Sequence, residues 1–131
     1  MIEEQARRYN AGKQKWSYIH YKSLDPMLRV LDYGATKYSL YENRNGRKIN
    51  GLEFKALSEV EQQEWTLVES GAHNWKKPGL KPKEILESLQ RHLAALMDGE
   101  DNDPESGQNH IGHCMANCMF YEYHLNLQKH D

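Results

Sequence analysis

Apolar residues recur at helical spacing in two long stretches of the chain and lose any period between them. In residues 26–38, Leu28, Leu31, Ala35 and Tyr38 return every three to four positions, the pattern of an amphipathic helix. Asp25 as N-cap and Pro26 at the first helical position mark its start. Gly34 lies inside it and marks a place where another backbone comes close. Residues 83–98 carry the clearest stripe, Ile85, Leu86, Leu89, Leu93, Leu96 and Met97, and Gly99 ends it. Asp103-Pro104 repeats the cap-plus-proline signal, so the spacing predicts a last helix running from there to about residue 127. The short connection predicts that these last two helices fold back on one another as an antiparallel hairpin.

The middle of the chain is less regular. Residues 39–51 contain two Asn-Gly turn signals and no apolar period, so they read as a loop or a short hairpin. Residues 52–70 read as helix with a break near Ser58, where Ser58 and Glu61 fit a capping box, and with Gly71 as the stop. Residues 1–15 read as a ragged lead-in to the aromatic cluster Trp16, Tyr18, Ile19 and Tyr21. No repeat or domain linker is found. The expectation is an all-α fold: one domain over residues 1–131, a small bundle of about four helices, with residues 39–73 as an insertion or lid.

Composition changes this picture in two ways. Hydrophobic residues make up 38% of the chain and its mean hydropathy is −0.93, so each subunit has little core of its own. Sharing a core with further copies answers that, and a homo-oligomer is expected. The net charge is −2 with both signs interspersed, which argues against binding a nucleic-acid backbone. No apolar run is long enough to span a bilayer, and MIEEQARRYN lacks a hydrophobic signal region. No membrane partner is therefore expected, and the setting is cytoplasmic. Cys114 and Cys118, one helical turn apart, read as small apolar core residues rather than a disulfide framework.

The candidate chemistry lies in residues 91–117. His92 falls on the inward side of its helix, and His110, His113, Asn117, Tyr121 and His124 fall at steps of three and four on the last one. Glu100, Asp101, Asp103 and Glu105 crowd the turn between them. A single histidine in such a pattern is most simply a hydrogen-bonded core residue, and an acidic turn a solvated loop. Together they pose an electrostatic problem, because clustered carboxylates repel unless a cation is present. A divalent metal resolves it; oxygen ligands favour Mg²⁺ or Mn²⁺, and added imidazoles shift the preference toward Mn²⁺ or another transition ion. Glu61 with Glu64, and Glu100 with Asp103, also look like the E-x-x-E and E-x-x-D pairs of all-α nucleotide pyrophosphohydrolases. Lys13, Lys37 and Arg91 offer cations for phosphates, and Tyr38 and Trp75 offer aromatic faces for a base.

Read in order, Arg91-His92-Leu93, Gly99-Glu100, Asp103, Glu105-Ser106-Gly107, His110, His113 and Asn117 form one long motif. It resembles the phage-encoded dATP/dGTP diphosphohydrolase family, related in proposed activity to MazG-like enzymes. Gly12-Lys13 with Trp16, then Gly34-Ala35-Thr36-Lys37-Tyr38 and Asn74-Trp75, resemble the family's upstream elements in the right order. One departure is that residues 39–73 separate the last two elements, which lie close together in the family pattern.

The resemblance implies a phage protein of the host cytoplasm that hydrolyses purine dNTPs to dNMP and pyrophosphate. On that reading Glu100, Asp103 and His110 are catalytic, and His92, Glu100, Asp103, Glu105, His110 and His113 hold Mg²⁺ or Mn²⁺. Lys13, Lys37, Tyr38, Asn74, Trp75, Arg91 and Asn117 bind the nucleotide, with Glu61 and Glu64 as reserve ligands. Three alternatives stand beside it: an HD-like metal phosphohydrolase, a non-catalytic, sponge-like nucleotide-binding protein acting against host defence, and a purely structural reading in which the His/Asp cluster is a pH-sensitive staple of the helix hairpin.

Overall fold

A computed structural model describes residues 3–9 and 11–130, the side chain of His130 excepted. Met1, Ile2 and Asn10 of the expected lead-in, and Asp131, lie outside the described residues. The described part of the lead-in is exposed and has no regular element before two short 3₁₀ turns, Trp16–Tyr18 and Tyr21–Leu24. Helix α1, Asp25–Lys37, then forms with Pro26 at its second position, where a missing N–H goes unneeded.

The chain departs from the all-α expectation immediately after α1. Strands β1 (Leu40–Glu42) and β2 (Lys48–Asn50) form a hairpin, and β3 (Thr66–Glu69) pairs with the other edge of β1. The result is a three-stranded antiparallel sheet of order β2-β1-β3. Tyr41 lies opposite both Ile49 and Leu67. The fold is therefore mixed α/β, with five α-helices and this sheet among the described residues.

The stretch expected to be helical, residues 52–70, holds only two short helices. These are α2 (Gly51–Lys55) and α3 (Glu59–Gln62), followed by β3. Both helices have full capping boxes, Asn50 with Glu53 and Ser58 with Glu61, so the local signal at Ser58 was real. A capping box fixes where a helix begins and says nothing of its length. Here Thr66, Leu67 and Val68 carry β preference, and pairing with β1 takes them.

The sheet matters because of what it delivers. Ser39 Oγ donates to the Ala35 carbonyl at 2.6 Å and accepts from the Gly71 amide at 2.9 Å. Gly71 thus ends no helix; it packs so tightly against α1 that an added Cβ would meet the Ala35 oxygen at 2.5 Å. The chain is thereby turned toward the 3₁₀ segment Asn74–Lys76 beside the long helices.

Those long helices are α4, Pro82–Met97, and α5, His110–His130, which make the most extensive contact in the molecule. Ile85 of α4, Val30 of α1, and Cys114 and Ala116 of α5 are buried, as is Ile49 of β2. Cys118, expected inside with Cys114, is exposed: one helical turn moved it past the edge of the contact. Helix α1 crosses α5 at Gly112, where a Cβ would lie 2.2 Å from the Pro26 carbonyl oxygen. At Gly34, expected to mark such an approach, a Cβ would meet nothing within 4 Å. No described helix is long and apolar enough to cross a membrane.

Two glycine substitutions should therefore have opposite effects. Gly112→Ala forces α1 from α5 and should destabilise by about 1–3 kcal/mol. Gly34→Ala should stabilise by up to about 1 kcal/mol through helix propensity. Urea unfolding of the two variants beside the parent measures both.

Candidate active site

The α4–α5 connection was expected to start a helix at Asp103-Pro104, and it does not. Asp103 instead caps a turn: its Oδ2 accepts from the Ser106 amide at 3.0 Å and the Ser106 hydroxyl at 2.9 Å. Gly107, at φ +71°, takes the left-handed conformation that reverses the chain. Helix α5 starts seven residues later than Asp103, at His110, with Asn109 Oδ1 accepting from the Ile111 amide at 2.9 Å. This folded turn carries Asp103 back over α5.

Four side chains meet there. His92 Nδ1 and His110 Nδ1 approach to 2.8 Å, and the His92 and His113 rings stack at 4.2 Å with a 4° tilt. His110 is buried, and its Nε2 lies 2.7 Å from Glu100 Oε1. In the tautomer that donates from Nε2 to Glu100, His110 turns a bare Nδ1 toward His92. Ser106 Oγ, which donates to Asp103, accepts from the Gln108 amide at 3.2 Å and lies 2.7 Å from His113 Nε2. With its hydrogen already engaged, the hydroxyl accepts from His113 as well, which leaves His113 Nδ1 unprotonated.

The titration of these groups follows their surroundings. Burial pushes His92 below its ordinary value, and the neighbouring His113 adds to this. Burial likewise lowers His113, against the opposing pull of Asp103. For Asp103, burial raises the carboxyl, but the Ser106 hydroxyl and amide with His113 and His92 together outweigh it and hold it low. At neutral pH His92 and His113 are thus neutral imidazoles beside the ionised Asp103. One donor atom each from His92, Asp103 and His110 lie within 4.8 Å of one another, which fits a small divalent cation.

The cluster closes one end of a cleft of about 560 Å³ between α1, α4, α5 and the Asn74–Lys76 turn. Of the residues expected from sequence, Lys37, Tyr38, Asn74, Trp75, Arg91, His92, Asp103, Glu105, His110, His113 and Asn117 all line it. Lys37 donates to Glu105 at 2.9 Å, which raises the lysine's pKa and keeps it charged. Glu100 does not line the cleft and reaches it through His110. Lys13 lies in the exposed lead-in, and Glu61 is engaged with Ser58 in its capping box; neither borders the cleft, and nor does Glu64.

Four contributors escaped the sequence reading. Tyr33, Ser88 and Phe120 line the cleft, and Ser106 joins Asp103 to His113. Ser88 was visible one turn before His92, and Ser106 inside the motif itself. His124, expected on the polar stripe, is buried and hydrogen-bonds the Trp75 carbonyl at 2.5 Å. That contact holds Trp75 against Phe120, with ring centres 5.0 Å apart.

The lowered histidines set a pH dependence. In metal-free protein the unfolded chain takes up protons below the ordinary value of 6.5, while folded His92 and His113 resist them. Stability should therefore be full above about pH 7 and fall as pH drops through 6.5. Thermal melts in chelator from pH 8 to pH 5 should show this slope, and His92→Gln should reduce it.

Compared with known proteins, residues 3–131 match the family model described as dATP/dGTP diphosphohydrolase, N-terminal. A dATP/dGTP diphosphohydrolase of Salmonella phage PMBT28 is 36% identical over 56 residues, covering 43% of this chain and 19% of that protein. The chain thus spans about a fifth of the length of that relative. No solved structure matches.

Proposed function

We propose a function from one established premise: the chain belongs to the dATP/dGTP diphosphohydrolase, N-terminal, family. The proposal is that its cleft binds a purine deoxynucleoside triphosphate and hydrolyses it to dNMP and pyrophosphate. One observation carries it, the grading of the cleft from end to end. His92, Asp103, His110 and His113 stand at one end with Lys37 and Arg91, while Trp75 and Phe120 stack at the other. Phosphates fit the first end and a base the second.

In this reading His92, His110 and Asp103 hold the cation. Two imidazole nitrogens and one carboxylate suit Mn²⁺ better than Mg²⁺, which prefers oxygen and retains its waters. When bound, the ion neutralises phosphate charge and polarises phosphorus toward attack. The remaining work falls to the chain. Glu100 orients His110 from behind, a common arrangement for a ligating histidine. Lys37 exchanges Glu105 for a phosphate oxygen, moving from one anion to another without losing its charge. Arg91 adds a planar pair of donors. His113 Nδ1 takes the proton from the attacking water, and Ser106 and Asp103 hold that ring through Nε2.

The imidazole-rich donor set also favours a second reading, an HD-like phosphohydrolase cutting a different phosphoester bond. Products separate the two. Incubation with dATP and dGTP in Mn²⁺ should yield dNMP and pyrophosphate; triphosphate or inorganic phosphate instead would favour the HD-like reading. Binding with no product of any kind would favour a sponge. Within the first reading, Glu100→Gln should weaken Mn²⁺ binding by about 10–100-fold, measured by titration calorimetry. His110→Asn should abolish it.

A further inference from the structure

Because α4 and α5 run antiparallel, equal steps away from the imidazoles occur on both helices at once. One turn from His92 is Ser88 and one turn from His113 is Asn117, each about 6 Å along its axis. The two side chains meet: Asn117 Nδ2 donates to Ser88 Oγ at 3.3 Å and to the His113 carbonyl at 2.9 Å. That carbonyl can only accept, so the amide's orientation is determined and Oδ1 faces the other way.

Asn117 is only 8% exposed, yet no donor among the described residues reaches Oδ1. The atom is not sealed in the interior either, since no fully buried side-chain polar atom among the described residues lacks a partner. Asn117 lines the cleft, so its oxygen opens there. The same wall mixes the buried apolar Val30, Ile85 and Ala116 with the Ser88 hydroxyl and Glu84. An acceptor left unpaired on a largely buried side chain favours a ligand with one donor at that place. About one further turn along α5, Phe120 and Trp75 begin the aromatic end.

We propose that Asn117, braced by Ser88, accepts a hydrogen bond from the 3′-hydroxyl of the bound deoxyribose. The inference rests on the nucleotide reading above. With phosphates at the imidazoles and the base on Trp75, the sugar must cross this middle rung. A 2′-deoxyribose joined to phosphate and base has one hydroxyl left, at C3′, and Oδ1 is the acceptor presented to it.

The test uses the full chain with Mn²⁺ and two probes, dATP and 2′,3′-dideoxy-ATP, each with a methylene bridge between the α and β phosphorus atoms to prevent cleavage. Calorimetry should show the dideoxy analogue binding roughly tenfold more weakly to the parent. In Asn117→Leu the ratio should fall to about twofold or less, dATP losing more affinity than the dideoxy analogue. A purely structural role would weaken both probes together and leave the ratio intact, which would overturn the proposal. Should Asn117→Leu fail to fold, Ser88→Ala decides: a reduced ratio supports the brace, and an unchanged one overturns it. Equal binding of the two probes to the parent overturns the proposal alone, whereas no binding of either overturns the nucleotide reading with it.

Discussion

The register of α4 against α5 is the constraint on which the site depends. His92 stacks on His113, the Leu89 carbonyl lies 3.8 Å from Cys114 Sγ, and Ser88 meets Asn117. Each contact is one step of the same antiparallel pairing. A shift of one residue turns each helix about 100° relative to its partner and separates every one of these pairs. The folded turn at Asp103 depends on the register too, since its carboxylate reaches α5 through Ser106 and His113. The chemistry and the packing are therefore one set of contacts.

That coupling explains why so much of the buried interior is polar. His110, Asn117 and His124 are as buried as Val30 or Ile85. Each has partners: His110 pairs with Glu100, His124 with the Trp75 carbonyl, and the Asn117 amide nitrogen with Ser88 and the His113 carbonyl, its oxygen alone being left for the cleft. Satisfied polar groups specify a unique arrangement but contribute less to stability than the same volume of hydrocarbon. Large apolar side chains such as Leu28, Leu93 and Met97 remain half or more exposed, or nearly so. The fold accordingly holds its site rigid with a thin apolar core.

What could be read from sequence follows from the length of each signal. Helix α4 shows six apolar residues over four turns, and both its ends were placed within a residue or two. Helix α1 was equally plain. The strands are three or four residues long, too short for a period of two to stand out, and their partners lie far away in sequence. That is why a mixed fold read as all-α. Asp103-Pro104 misled for a related reason: Asx turns and helix caps use the same carboxylate-to-amide bond. Only Gly107, beyond the proline, distinguishes them. In the site, the histidines and Asp103 were legible as a motif, whereas Tyr33 and Phe120 contribute through tertiary position alone.

The segment that holds the sheet bears on the cleft through its two ends. Residues 39–73 leave α1 at Ser39 and return to it at Gly71, closed by the hydrogen bonds of one serine hydroxyl. A closed excursion of this kind can lengthen at little entropic cost, because loop closure grows only with the logarithm of length. Its two ends stay together while the intervening residues find pairing partners of their own. The segments that face the cleft, Gly34 to Tyr38 and Asn74 to Trp75, therefore remain neighbours across some thirty-five intervening residues. A change of length or sequence between these two walls of the cleft would therefore leave the walls adjacent.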